Sequence, residues 1–280
     1  MRTITTTIIT DTVARLCREA NCSPNDDLIE ALVAARETEE SDNGRVILEE
    51  LLANARLALD SEAPLCQDTG TAVIFLEVGQ ECRITGGDLG QAINEGVRRG
   101  YREGFLRTSI VSDPLQRKNT GDNTPALIHT KIVLGDRLKI TVAPKGAGSE
   151  NMSTLRMMTP AEGEEDIIDF VVKQVTAAGA NPCPPIIVGL GIGGNFEYSA
   201  LLAKKALLLS IGSRNPDSFY AGMEQTIVKA LNRTGIGPGG LGGKTTCLDC
   251  HILTFPCHIA SLPVALNLDC CATRHKTTIL

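Results

Sequence analysis

The chain of 280 residues has no tryptophan and only three tyrosines and six phenylalanines, so its core has to be built from Leu, Ile, Val and Ala. It has no basic block. Its 27 Lys and Arg stand against 33 Asp and Glu, a formal charge of −6, which argues against a nucleic-acid or anionic-membrane surface and favours a small-molecule substrate. It has no low-complexity run and no apolar stretch of the roughly 20 residues that a membrane span needs. Threonines interrupt the N-terminal segment where a signal peptide requires a continuous apolar stretch, so a cytosolic protein is expected. That compartment keeps thiols reduced, so the ten cysteines are not a disulfide framework; some are core residues and some are available for metal.

What is present divides into a helical beginning and a mixed remainder. Thr10 and Asp11 are placed to cap a helix carrying Val13, Leu16, Cys17 and Ala20. Ser23-Pro24 opens a second with Leu28, Leu32 and Val33, and a third runs from about Asn43 to Asp60. At Cys66-Gln67-Asp68-Thr69-Gly70 a polar, turn-prone loop abuts a strand over 71–79, the setting in which site residues are usually found. A helix over 88–104 follows, then an irregular passage with Arg107, Arg117 and Lys118. Two alternating runs over 127–144 flank Gly135-Asp136 and read as a hairpin. The expected fold is α/β leaning to α+β: a helical N-terminal portion, 1–62, then a mixed sheet flanked by helices, 63–280, in one domain.

Three glycine-bearing segments invite an anion. Lys145-Gly-Ala-Gly148 exposes backbone N–H groups. Gly189, Gly191 and Gly194 fit a dinucleotide fingerprint by spacing, but the second strand ending in an acid is missing, so packing or a helix N-terminus is the better reading. Gly235 to Thr245 resembles a phosphate loop with Pro238 where the first glycine belongs, which counts against nucleotide.

Five cysteines (Cys247, Cys250, Cys257, Cys270, Cys271) and three of the four histidines crowd residues 247–275, which suggests zinc. If the strand from Lys244 to Phe255 is regular, Cys247 and Cys250 point to opposite faces and cannot easily share a metal. A zinc-binding or structural protein with buried thiols remains the reading outside enzyme chemistry. The third reading joins Cys66, Cys183 and Cys270, each where a loop adjoins a strand. Three thiolates on a four-iron cluster leave one iron open as a Lewis acid.

Taken in order, Cys66-Gln-Asp-Thr-Gly70, Asn151-Met-Ser153, Asn181-Pro-Cys183-Pro-Pro, Gly191-Ile-Gly-Gly194, Gly239-Gly-Leu-Gly-Gly243 and Asn267-Leu-Asp-Cys-Cys-Ala-Thr-Arg-His275 resemble the class I, iron-sulfur-dependent fumarate hydratases and tartrate dehydratases, specifically their α subunit. The resemblance implies a [4Fe-4S] cluster on Cys66, Cys183 and Cys270, with Cys271 an adjacent rival for the last. It implies a substrate pocket lined by Gln67, Asp68, Arg107, Gly148 and His258. It also implies a separate β subunit bringing further arginines, a lysine and a catalytic threonine, in a homodimer of α or an α2β2 assembly. The activity implied is reversible hydration of fumarate to malate, with tartrate dehydratase or mesaconate hydratase as alternatives. Asp68 is the candidate acid or base on this chain, its plain alternative being a turn carboxylate bonded to backbone N–H groups.

Overall fold

The computed structural model describes residues 2–280, which form two compact units, each assembled from separated segments of chain. The element order is β1 (Arg2–Thr5), α1 (Thr6–Cys22), α2 (Asp26–Thr38), α3 (Asp42–Ser61), β2 (Thr71–Gly79), β3 (Cys82–Thr85), α4 (Leu89–Glu103), β4 (Leu127–Val133), β5 (Leu138–Lys145), α5 (Ala147–Glu150), β6 (Thr154–Met158), α6 (Glu164–Ala178), β7 (Ile186–Gly193), α7 (Phe196–Ala206), α8 (Ser218–Asn232), β8 (Cys247–Phe255), β9 (Leu262–Asp269) and β10 (Lys276–Ile279). The helical beginning and the mixed sheets are as the sequence suggests. Thr5 rather than Thr10 caps α1, its hydroxyl accepting the Ile8 N–H, and a short strand precedes the helix.

Among the described residues the first unit comprises 2–25, 55–147 and 274–280. Its sheet runs β10-β5-β2-β4. The expected hairpin over 127–144 is not formed: β4 pairs parallel to β2, and β5 pairs antiparallel to the other edge of β2, so β2 lies between them. The reason is burial. β2 is nearly all apolar and takes the centre, whereas β4 is largely exposed and suits an edge. The backbone after β2 then fills the turn, Glu81 N–H donating to the Gly135 carbonyl at 3.0 Å. Helices α1 and α4 cross at Gly96 and Gly100. A Cβ on Gly96 would stand 2.8 Å from the Thr10 carbonyl oxygen, and one on Gly100 2.7 Å from that of Ala14. Ile9, Val13, Leu16, Ile74, Leu76, Ile93, Val97 and Ile140 fill the core below them.

The second unit comprises residues 26–54 and 148–273, with a sheet ordered β6-β9-β7-β8. Every residue of β7 is buried. Its glycines explain the fingerprint-like spacing. A Cβ at Gly191 would meet the Ser199 carbonyl oxygen at 2.0 Å, and one at Gly189 the Ala203 carbonyl oxygen at 2.3 Å, so α7 lies directly on the strand. The motif serves helix-to-sheet packing. Helices α6 and α8 contribute Phe170, Val171, Val175, Met223, Ile227 and Leu231 to the same core. Among the described residues no helix is long and apolar enough to cross a membrane.

Candidate functional site

In the first unit the loop Cys66–Gly70 is built as a fixed frame. Gly70 has φ of +72°, and a Cβ there would lie 2.7 Å from the Lys145 backbone, so only glycine brings the loop this close to β5. The buried Tyr101 hydroxyl lies 2.8 Å from the Thr69 carbonyl oxygen and 2.9 Å from that of Gly70. The amide of the fully buried Asn123 donates to the Gly70 carbonyl at 3.1 Å, and its Oδ1 accepts the Ser109 N–H at 2.7 Å. Arg274, 4% exposed, donates through Nη2 to the Asp68 carbonyl. These side chains hold the loop from behind, leaving Cys66 half-buried and Gln67 exposed.

Two more predicted residues belong to this frame. Asp68 accepts the Gly70 N–H through Oδ1 at 3.0 Å and the Ala147 N–H through Oδ2 at 2.8 Å, so its plain role as a turn carboxylate is realised. Each oxygen keeps a second lone pair for other chemistry. Arg107 is tied in through its backbone, the Thr69 hydroxyl donating to its carbonyl at 2.9 Å, and its exposed side chain extends from that anchored point. Cys66, Gln67, Asp68 and Arg107 therefore share one rigid support.

In the second unit Cys183 and the Cys270–Cys271 pair are neighbours. The Cys271 N–H donates to the Cys183 carbonyl at 3.1 Å. Cys183 has φ of +55° and an exposed side chain. The glycine-rich segment packs against it: the Gly239 N–H donates to the Pro184 carbonyl at 2.7 Å, and a Cβ on Gly240 would meet that of Ala180 at 2.3 Å. That segment is pinned by Glu39, a residue that sequence reasoning missed. Its carboxylate, 2% exposed, accepts N–H groups from Glu40, Ser41, Lys244 and Thr245 at 2.8 to 3.1 Å. Burial opposes the charge, but those backbone donors outweigh it and hold the carboxyl down at about 2. The segment resembling a phosphate loop therefore directs its N–H groups to an internal anion. Asp269 orders the turn at Cys270, accepting the Cys270 N–H at 3.1 Å and the Thr273 hydroxyl at 2.8 Å.

Gly148 lies exposed near the Asn181 backbone, a Cβ there standing 3.6 Å from the Asn181 oxygen. His258 lies in the exposed connection between β8 and β9, where its Nδ1 accepts the Ala260 N–H at 3.1 Å, which leaves Nε2 for an outside partner. Among the described residues no three His, Cys, Asp or Glu side chains are already gathered as a metal site.

The remaining thiols separate by environment. Cys17, Cys247 and Cys250 are buried, and burial pushes the Cys17 thiol up to about 12 and those of Cys247 and Cys250 upward as well, keeping them protonated and inert. The expected alternation of Cys247 and Cys250 does not hold. β8 is irregular here, with Ile186 opposite Cys247 and Ile187 opposite Asp249, and the extra residue at Leu248 turns both sulfurs into the same core. They are packing residues all the same. Cys66, Cys183 and Cys270, by contrast, lie outside the buried cores, where a thiol is open to an iron-sulfur group.

The sequence pattern of the fumarate hydratase (fumerase) family matches residues 10–279. The chain belongs to that family. Relatives agree on class: a Methanocaldococcus jannaschii protein with the provisional name L(+)-tartrate dehydratase subunit alpha is 40% identical over 274 residues, covering 95% of each chain. The L(+)-tartrate dehydratase subunit alpha of Escherichia coli is 31% identical over 275 residues, covering 97% of this chain and 90% of that protein. The same values hold for its namesake from Shigella sonnei. The relatives named here are thus α subunits, within a hydro-lyase family to which this chain belongs.

Proposed function

We propose that this fumarase-family α chain, joined by a β subunit, removes water reversibly from a C4 2-hydroxydicarboxylate. The names of its relatives favour L(+)-tartrate as substrate; malate and fumarate are the second reading, favoured by the family name. The observation that carries the proposal is the Cys66–Gly70 frame, which fixes a thiol, an amide, a carboxylate and the backbone of an arginine on one support.

Dehydration has to break a C–H bond beside one carboxylate and a C–O bond on the neighbouring carbon. Cys66, Cys183 and Cys270 would hold a [4Fe-4S] cluster, and when bound it supplies an open, Lewis-acidic iron for the departing hydroxyl. The chain's own residues do the rest. The Arg107 guanidinium pairs bidentately with the substrate carboxylate and disperses the charge that builds as the proton leaves. The Gly148 N–H and the Gln67 amide orient the same anion. His258, with Nδ1 satisfied internally, donates from Nε2 to the second carboxylate or relays a proton. Asp68, held as an anion acceptor, uses a remaining lone pair to receive or return a proton. The principal base belongs to the partner chain.

The test is co-expression with a neighbouring β-type chain, anaerobic reconstitution, and comparison of kcat/KM for L(+)-tartrate, malate, fumarate and mesaconate. Activity on tartrate at least tenfold above malate is expected, and the reverse order moves the assignment to fumarate. A colourless protein that retains zinc, or full activity of this chain alone, refutes the two-subunit cluster reading.

A further inference from the structure

One buried charge in the first unit is unexplained by packing. Arg274 is 4% exposed, yet its Nε and Nη1 have no hydrogen-bond partner among the described residues. The bond from its Nη2 goes to a neutral acceptor, the Asp68 carbonyl, two positions after Cys66. Gly146 passes close by, a Cβ there standing 3.9 Å from Nη2 and 3.3 Å from Asp68 Oδ2. The nearby Asp68 carboxylate already accepts the Gly70 and Ala147 N–H groups, so it offsets the guanidinium's charge only through space and gives Nε and Nη1 no acceptor. A guanidinium stays protonated in any environment, and burying it is unfavourable unless a negative charge compensates. Tyrosine and asparagine already hold the same loop without a charge, so fixing the backbone does not by itself require an arginine.

We infer that Arg274 is a positioning residue that also acts electrostatically, anchoring the Cys66 loop and supplying the buried positive charge that an anionic iron-sulfur cluster on that loop needs. The inference rests on the cluster reading above. Charge near a cluster is one of the factors that set its potential, and a nearby cation favours the more negative, reduced form.

The experiment uses the full chain, reconstituted anaerobically with iron and sulfide. Iron and sulfide content is measured, and the reduction potential is followed by the paramagnetic signal of the reduced cluster. Arg274→Gln should lower the potential, and Arg274→Lys should keep it close to that of the parent. Tyr101→Phe loosens the same loop without touching charge and should leave the potential unchanged. Should Arg274→Gln fail to fold, Arg274→Lys carries the test: its iron content should fall, because a single-pronged head reaches the loop less well, while its potential stays close to the parent's, and a potential moved well away from the parent's overturns the electrostatic role. An unshifted potential in Arg274→Gln, or an equal shift in Tyr101→Phe, overturns the electrostatic role while the cluster reading stands. A parent chain that takes up no cluster overturns both.

Discussion

Replacing Glu39 by Gln tests whether an internal anion organises the wall behind Cys183. The carboxylate receives four backbone N–H groups and is 2% exposed, and its pKa falls from an ordinary 4.5 to about 2. At about 1.4 kcal/mol per pH unit that drop gives about 3.5 kcal/mol, and solvent screening brings the expected contribution to roughly 3 kcal/mol. The sign follows from the depressed value. The contribution is complete above pH 4.5, where both folded and unfolded states are ionised, and is lost as pH falls toward 2. An amide keeps the shape but offers one oxygen, and its NH2 group faces N–H donors. Urea unfolding should show Glu39→Gln less stable by about 3 kcal/mol at about pH 7, with the gap narrowing steadily below about pH 4.5. Reconstitution should show lower iron content, because Lys244 and Thr245 anchor the glycine segment whose Gly239 bonds Pro184 beside Cys183. A pH-independent gap, or none near neutral pH, would falsify the account.

Gly70→Ala should fail to accumulate as folded protein or lose well over about 2 kcal/mol, measured by chemical denaturation, because it combines a φ of +72° with a Cβ 2.7 Å from the Lys145 backbone. Cys271→Ser should leave a reconstituted cluster intact while Cys270→Ser and Cys183→Ser abolish its absorbance; the opposite result for the adjacent pair moves the ligand by one residue. His251 is fully buried, its ring nitrogens without a hydrogen-bond partner among the described residues and Nε2 3.7 Å from Asp249 Oδ2, and its pKa is lowered by burial, although Asp249, Glu224 and Asp27 act against the shift and Arg214 adds to it. Its folded form refuses a proton that the unfolded chain accepts, so stability should fall as pH drops below about 6.5, by at most about 1.4 kcal/mol per pH unit, and His251→Gln should remove that slope.

Much of this was legible because it is local. The helix over 88–104 was readable from Asp88, whose side chain caps Gln91 at 2.7 Å, and strand 71–79 from its β-branched content. The hairpin expectation fails for the opposite reason. Alternation and a Gly-Asp turn describe two strands and a reversal, but not whether a third, more apolar strand competes for the space between them. The Cys66 loop was visible as a turn beside a strand, whereas its supports were not. Tyr101 reads as one more residue on the apolar face of α4, Asn123 as one polar residue in an irregular passage, and Arg274 comes from 206 positions further along the chain than Asp68. Glu39 was hidden among neighbouring acids at the end of α2; only the fold shows that its partners lie 205 and 206 positions away.

The loops at Cys66 and Cys183, proposed above to bear cluster ligands, solve one problem by the same means. A thiol that is to meet a metal cannot be sunk in an apolar core, because burial raises its pKa and denies it an entry path, as at Cys17 and Cys250. An exposed loop, however, lacks the packing that would fix its geometry. In both units the chain fixes the loop through its main chain and from behind. Tyr101, Asn123 and Arg274 bond carbonyls of residues 68–70, and Gly239, together with the Cys271 N–H, bonds the carbonyls of Pro184 and Cys183. Close approach of that backing requires residues without a Cβ, which is why Gly70 and Gly240 stand where any side chain would collide. Gly70 and Gly240 therefore serve loop rigidity, and substitutions behind the loops should lower iron uptake without touching Cys66, Cys183 or Cys270.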